Sequence, residues 1–238
     1  MIYEIKSRQN DKIKEVVKLS NMKSSKEAKL FKIEGFHCLE MALEAKAVKS
    51  VFTCKPLKDL PESIPQYVVS KEIMEKISYA KNPQGVVVVC SYLPVKAITS
   101  NKVLLLDDVS DPGNLGTLLR TALAFGYKDV ILMGGCSQYN EKVLQSTQGA
   151  IFKLNIVNDI DLSSLKDYEI LATEIKGSVE LSKVTPGPKH ILVLGNEAHG
   201  VSNKILSLAS KRIRIDISDI ESLNVAVAGA IAMYKLSN

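Results

Sequence analysis

The sequence predicts an α/β protein built in two parts, and three observations predict it. Short apolar runs alternate with segments of helical periodicity along all 238 residues. Several runs in the second part end in Gly, Asn, Glu or Ser, where loops leave a parallel sheet and gather around a ligand. Between the parts, Leu93-Pro-Val-Lys-Ala-Ile-Thr-Ser-Asn101 loses periodicity and carries a proline, which marks a linker.

The elements follow in order. Asp11 to Leu19 reads as a helix with Ile13, Val16 and Val17 on one face. Leu30 to Glu34 is a short strand ending at Gly35. Phe36 to Lys46 is a helix, and Val48 to Cys54 a strand. Ser70 caps a helix through Ile77. Gly85 to Tyr92 is a buried strand. The second part opens with the strand Val103 to Asp107, then a helix from about Asn114 to Phe125. Asn114 is a candidate cap, and Gly126 stands where a helix-ending glycine belongs. Val130 to Met133, Lys153 to Val157, Tyr168 to Thr173, Ile191 to Leu194 and Arg212 to Ile217 read as strands. Asn140 to Gly149 and Ser202 to Ala209 read as helices. Ser222 to Leu236 is a long apolar helix rich in Ala and Gly, suited to close packing against the sheet or a second subunit.

Composition bounds the function. Hydrophobic residues make up 46% and charged residues 24%, a globular balance. Apolar runs such as Val86 to Cys90 are far too short to span a bilayer, and Met1 to Arg8 has no apolar core for a signal peptide. Cys38, Cys54, Cys90 and Cys136 show no metal-binding spacing and read as thiols in a reducing cytoplasm. No metal site is expected. The net charge of +5 is unevenly spread: residues 1–100 hold 17 Lys/Arg and 11 Asp/Glu, the remainder 14 and 15. A basic first part suits a polyanionic partner, and a solvated helix face explains the lysines about as well.

Three segments carry candidate chemistry. In Asp111-Pro-Gly-Asn-Leu-Gly-Thr-Leu-Leu-Arg120, the glycines permit a tight turn. Arg120 is expected on about the same side as Asn114, one to two turns deeper. An arginine among Leu118, Leu119 and Leu123 is costly to bury unless paired, so it either reaches solvent or clamps an anion. In Leu194-Gly-Asn-Glu-Ala-His-Gly200, Glu197 stands at a strand end, placed to orient an amine or hydroxyl, although Gly-rich αβ turns are common. His199 reads as incidental. In Glu221-Ser-Leu-Asn-Val225, Ser222 reads as the cap of the last helix, and the amide of Asn224 is expected to point at the loop cluster.

Taken together and in this order, the three segments resemble the SpoU/TrmH family of RNA ribose 2'-O-methyltransferases, a branch of the SPOUT class. The resemblance implies a methyltransferase domain over residues 101–238, a parallel sheet whose C-terminal part is threaded into a trefoil knot. Phe31-Lys-Ile-Glu-Gly35 followed by a helix looks like a smaller α/β RNA substrate-binding domain of ribosomal protein L30e type, over residues 1–95. S-adenosylmethionine would be held by Leu194, Gly195, Asn196, Ile215, Ile217, Ser222, Leu223 and Asn224. Asn114, Arg120, Glu197, Ser222 and Asn224 match the family's functional polar positions, and the first two with Glu197 and Asn224 are the catalytic candidates. Family members act as homodimers.

Two departures stand out. Gln145 occupies a position where the family usually shows arginine, and Asp216 in Ile215-Asp-Ile217 replaces a proline. The resulting expectation is a cytoplasmic enzyme without membrane attachment that methylates a ribose 2'-hydroxyl of structured RNA, ribosomal RNA first and transfer RNA second. Arginine is hard to deprotonate, so Arg120 is expected to stabilise charge rather than act as base. The alternative is a non-catalytic RNA-binding or ribosome assembly factor that keeps the fold.

Overall fold

A computed structural model describes residues 1–237. The strands are β1 (Ile2–Ile5), β2 (Leu30–Glu34), β3 (Val48–Thr53), β4 (Gln66–Val69), β5 (Val86–Ser91), β6 (Lys102–Asp107), β7 (Asp129–Met133), β8 (Asn155–Asn158), β9 (Glu169–Thr173), β10 (Val179–Glu180), β11 (His190–Leu194) and β12 (Lys211–Arg214). The helices are α1 (Asp11–Lys18), α2 (Met22–Ala28), α3 (Phe36–Glu44), α4 (Lys71–Ile77), α5 (Pro112–Ala124), α6 (Glu141–Thr147), α7 (Asn203–Leu206) and α8 (Val225–Ser237). They form two compact units. Residues 1–93 and 139–152 make the first, and residues 94–138 and 153–237 the second.

The first unit is a mixed sheet in the order β1-β4-β3-β5-β2. Val86 to Cys90 are all buried, so both faces of β5 are covered. On one face Ile13 and Val16 of α1 and Ile73, Met74 and Ile77 of α4 pack on Phe52, Val87 and Val89. On the same sheet Lys32 is only 2% exposed. Its Nζ donates to the Ile77 carbonyl at 2.7 Å and pairs with Glu141 at 3.0 Å. Tyr139 stacks on Tyr92 with ring centroids 3.7 Å apart, and its hydroxyl accepts the Leu93 N–H. Phe31 packs on Tyr139 and Phe152. The segment 139–152, expected with the second part from its place in the chain, therefore belongs to the core of the first unit.

The second unit is a parallel sheet in the order β10-β12-β9-β11-β6-β7-β8. Parallel strands covered on both faces read as continuous apolar runs, as Val103 to Leu106 and Ile191 to Leu194 do. The expected linker is pinned to this unit. Asp129 accepts the N–H groups of Thr99 and Ser100, and Asn155 bonds both backbone groups of Lys96. Burial raises the Asp129 pKa, but these hydrogen bonds prevail and hold it below the ordinary aspartate value. α8 packs on α5 and β11, where a side chain at Gly229 would run into Leu118 and Leu194. The small residues of this helix thus serve close packing within the unit.

Several boundaries differ from the expectations. The sequence pattern missed β1, β4 and β10, which are four residues or fewer, and α2, whose only buried residue is Ser25. α5 begins at Pro112, capped by Asp111, whose carboxylate accepts the Asn114 N–H at 2.8 Å. Asn114 is therefore not the cap. Asn224 rather than Ser222 caps α8, accepting the N–H groups of Ala226 and Val227. The helix after Ser202 stops at Leu206, and β12 stops at Arg214, so that Ile215 to Ile217 leave the sheet.

Candidate active site

The loops at the C-terminal ends of β6, β11 and β12 meet in the second unit, which is where an open parallel sheet binds ligands. After β11 the chain folds back on itself. Asn196 and Gly200 exchange backbone hydrogen bonds at 3.0 and 2.9 Å, and the Asn196 side chain accepts the N–H groups of Ala198 and His199. A Cβ on Gly195 would run into the Gly200 backbone. Glycine is thus demanded by the loop's own return, whatever binds beside it.

This turn presents Glu197. Its carboxylate accepts the backbone N–H groups of Ser110 at 3.2 Å and Asp111 at 3.1 Å, and the side-chain amide of Asn114 at 3.0 Å. The Asn114 carbonyl oxygen in turn accepts the Asn224 amide at 2.9 Å. One relay, Asn224 to Asn114 to Glu197, ties all three segments together, and it orients every amide in it. Partial burial raises the Glu197 pKa, but the Asn114 and backbone donors outweigh burial and leave it below the usual glutamate value. Asn196 adds a fourth tie, donating to the Asp108 carbonyl at 2.8 Å.

Beside the relay lies a cavity of about 540 Å³. It is lined by Leu194, Gly195, Asn196, Glu197, Ile215, Ile217, Ser222, Leu223 and Asn224. Neither Asn114 nor Arg120 lines it. The volume suits a drug-sized ligand, and most of the lining is apolar or backbone. Sequence patterns missed the contribution of Thr173, Glu174 and Ile175, and of Leu181 and Arg214. The available signal for the first three was their place at and just past the end of a strand of the parallel sheet. His199, read as incidental, also lines the wall.

The loop that carries Ile215 and Ile217 is braced. Arg214 donates through Nε to Asp216 at 3.0 Å and through Nη1 to the Ser178 carbonyl at 2.6 Å, with Glu180 at 3.4 Å. Where the family pattern has a rigid proline, this chain ties the loop to β10 by an ion pair.

Arg120 lies elsewhere on α5 than expected. Six residues at about 100° each place it roughly a third of a turn from Asn114. It is exposed, as is Thr117 one turn before it. Among the described residues it has no hydrogen bond or ion pair within the chain. Among the described residues, no group of three or more His, Cys, Asp or Glu could hold a metal.

The profile of the SpoU rRNA Methylase family matches residues 101–234, and that of an MRM3-like substrate binding domain matches residues 10–88. The chain is 32% identical to the 23S rRNA (guanosine(2553)-2'-O)-methyltransferase RlmP of Bacillus subtilis, over 98% of each chain. It is 26% identical to the mitochondrial rRNA methyltransferase 3 of Mus musculus, over 85% of this chain and 66% of that one. Among solved structures, the AdoMet-bound rRNA methyltransferase from Sinorhizobium meliloti superposes with a TM-score of 0.88 at 25% identity, covering 99% of this chain and 97% of that one. With a parallel sheet, a loop-lined cavity and a smaller domain ahead of them, the chain belongs to the SpoU rRNA methylase family.

Proposed function

We propose that this protein transfers a methyl group from S-adenosylmethionine to a ribose 2'-hydroxyl of structured RNA, ribosomal RNA first and transfer RNA second. The observation that carries this reading is the cavity, lined by the second and third sequence segments and the loop after β12, with the first segment tied to them through Asn114. Gly195, Ile215 and Leu223 would hold the cofactor largely through backbone groups, and bound there it supplies an activated methyl. The Glu197–Asn114–Asn224 relay is consumed by internal hydrogen bonds. It keeps the three loops in register and excludes slack from the cavity wall. Arg120, exposed and unpaired, is free to stabilise the charge that develops on the attacking oxygen.

On this reading the second unit is a trefoil-knotted domain, and the protein works as a cytoplasmic homodimer. Val227, Ile231 and Tyr234 form an exposed apolar stripe on α8, which a second copy would cover. The RNA would meet the basic first unit over residues 1–95. No helix among the described residues is long and apolar enough to cross a membrane.

Mapping of 2'-O-methyl sites by mass spectrometry, in RNA from cells with and without the gene, tests the activity. One site lost with the gene is expected. An unchanged map, together with no calorimetric binding of S-adenosylmethionine, would favour a non-catalytic RNA-binding assembly factor.

A further inference from the structure

At the free edge of the first unit's sheet, three aromatic rings stand in register on neighbouring strands. Tyr3 of β1 pairs with Tyr67 of β4, and Tyr67 with Phe52 of β3. The rings stack, with centroids 5.5 Å apart at 27° for Tyr3 and Tyr67, and 4.9 Å apart at 25° for Tyr67 and Phe52. Burial falls steadily along the ladder. Phe52 is 1% exposed, Tyr67 is half-buried and Tyr3 is 44% exposed. β1 pairs with β4 alone, so no strand lies beyond it among the described residues. One ring face of Tyr3 rests on Tyr67, its hydroxyl donates to the Met1 sulfur at 3.2 Å, and the residue stays exposed at the edge.

The charge around this edge is positive. Lys6 and Arg8 follow β1 in the chain; Lys6 pairs with Glu4 at 3.4 Å, and Arg8 has no ion pair among the described residues. Lys12, near the start of α1, pairs with Glu15 at 2.9 Å. α1, whose apolar face packs in the same cluster as Tyr67, carries Lys12, Lys14 and Lys18 against Asp11 and Glu15. An open aromatic face with cations beside it is the combination that grips single-stranded nucleic acid, the ring taking a base and the cations the phosphates.

We propose that Tyr3 is a stacking platform for one unpaired nucleotide of the RNA substrate, continuing the Phe52–Tyr67–Tyr3 ladder with a base. This rests on the RNA reading above and adds a residue to it. The ring is already held in place by Tyr67, so little ordering is needed on binding. Stacking is tolerant of base identity, so the platform would add affinity more than sequence choice.

The chain contains no tryptophan. A Tyr3→Trp variant therefore carries a single indole at the proposed contact. The probe is a single-stranded oligoribonucleotide of mixed sequence, about ten nucleotides long. Saturation with it is expected to quench the indole emission of the full-length Tyr3→Trp variant. Tyr3→Ala should bind about tenfold more weakly, with its salt slope unchanged because no phosphate contact is removed. Tyr3→Phe, which keeps the ring, should bind like the parent. The proposal is overturned if RNA binds while the indole emission does not move, or if Tyr3→Ala binds as tightly as the parent, or if Tyr3→Phe loses as much as Tyr3→Ala. Failure of the unaltered protein to bind RNA in any form would overturn the RNA reading itself, and the platform with it.

Discussion

Lys32 in the first unit and Arg120 in the second are both cations with apolar neighbours along the chain, and the two are handled in opposite ways. Lys32 is buried, and its ammonium is met by a carbonyl and by the carboxylate of Glu141. Arg120 faces outward from α5 with no partner among the described residues. Burying a charge is tolerable only where hydrogen bonds and an opposite charge replace the lost water. The first unit therefore uses its cation to fasten segment 139–152 into its core. The second leaves its cation available to something that is not part of the chain. The paired, buried charge serves architecture, and the exposed one has no such structural role among the described residues.

The comparison can be broken most severely by cutting the chain. Charge and motif placement alone suggest that a fragment starting near Ile98 folds and binds the methyl donor. The structure argues against it. Tyr139, Val143, Leu144 and Ile151 are buried among the residues of the first unit and would be stranded. Such a fragment should aggregate or unfold around residues 139–152. Sharp, dispersed amide resonances from that segment in the isolated fragment would show otherwise.

A less drastic change removes Arg120. Arg120→Ala should lower methyl transfer by about 100-fold or more, the scale of losing one charge-stabilising donor. Donor binding measured by calorimetry and thermal stability should stay near the parent values. Near-normal turnover in a radiolabelled-methyl assay would remove Arg120 from the chemistry.

Glu141→Ala is the matching change in the first unit. It leaves the buried Lys32 ammonium with only the Ile77 carbonyl. Glu141 is partly exposed, so the loss should fall below that of a fully buried pair, at about 2 kcal/mol. Urea unfolding should report it, while donor binding by the second unit is unaltered. Equal midpoints for variant and parent would make the pair ornamental.

The smallest effects concern the loops. The folded pKa of Glu197 is depressed, so its stabilising contribution is present above the ordinary glutamate value and lost as pH falls through the folded one. Donor affinity should decline in that acid window, and Glu197→Gln should flatten the decline. Asp216→Ala should weaken donor binding only a few-fold, since the Arg214–Asp216 pair is largely exposed and worth well under about 1 kcal/mol. An affinity loss larger than that of Glu197→Gln would mean that the brace matters more than the relay.

The strands of the second unit other than β10 were legible because a parallel sheet buried on both faces needs unbroken apolar runs. The strand at Leu30–Glu34 and the cap at Ser70 were equally plain, since local pattern and hydrogen bonding agree there. β1 and β4 were not, because short strands take their identity from neighbours far along the chain. Of the three segments, the second and third contribute residues to one cavity, and all the residues matched to cofactor binding line it.

The amino-acid sequence by itself determined the α/β class, the family motifs and the chemical inventory of the site. Those depend on residue type and local periodicity. Only the tertiary structure decided which asparagine caps and which one bridges, which face of α5 carries Arg120, and to which unit segment 139–152 belongs. Each of these turns on contacts between residues far apart in the chain. Phe31 meets Tyr139, Lys32 meets Glu141 and Asn114 meets Asn224 only after the sheets have formed.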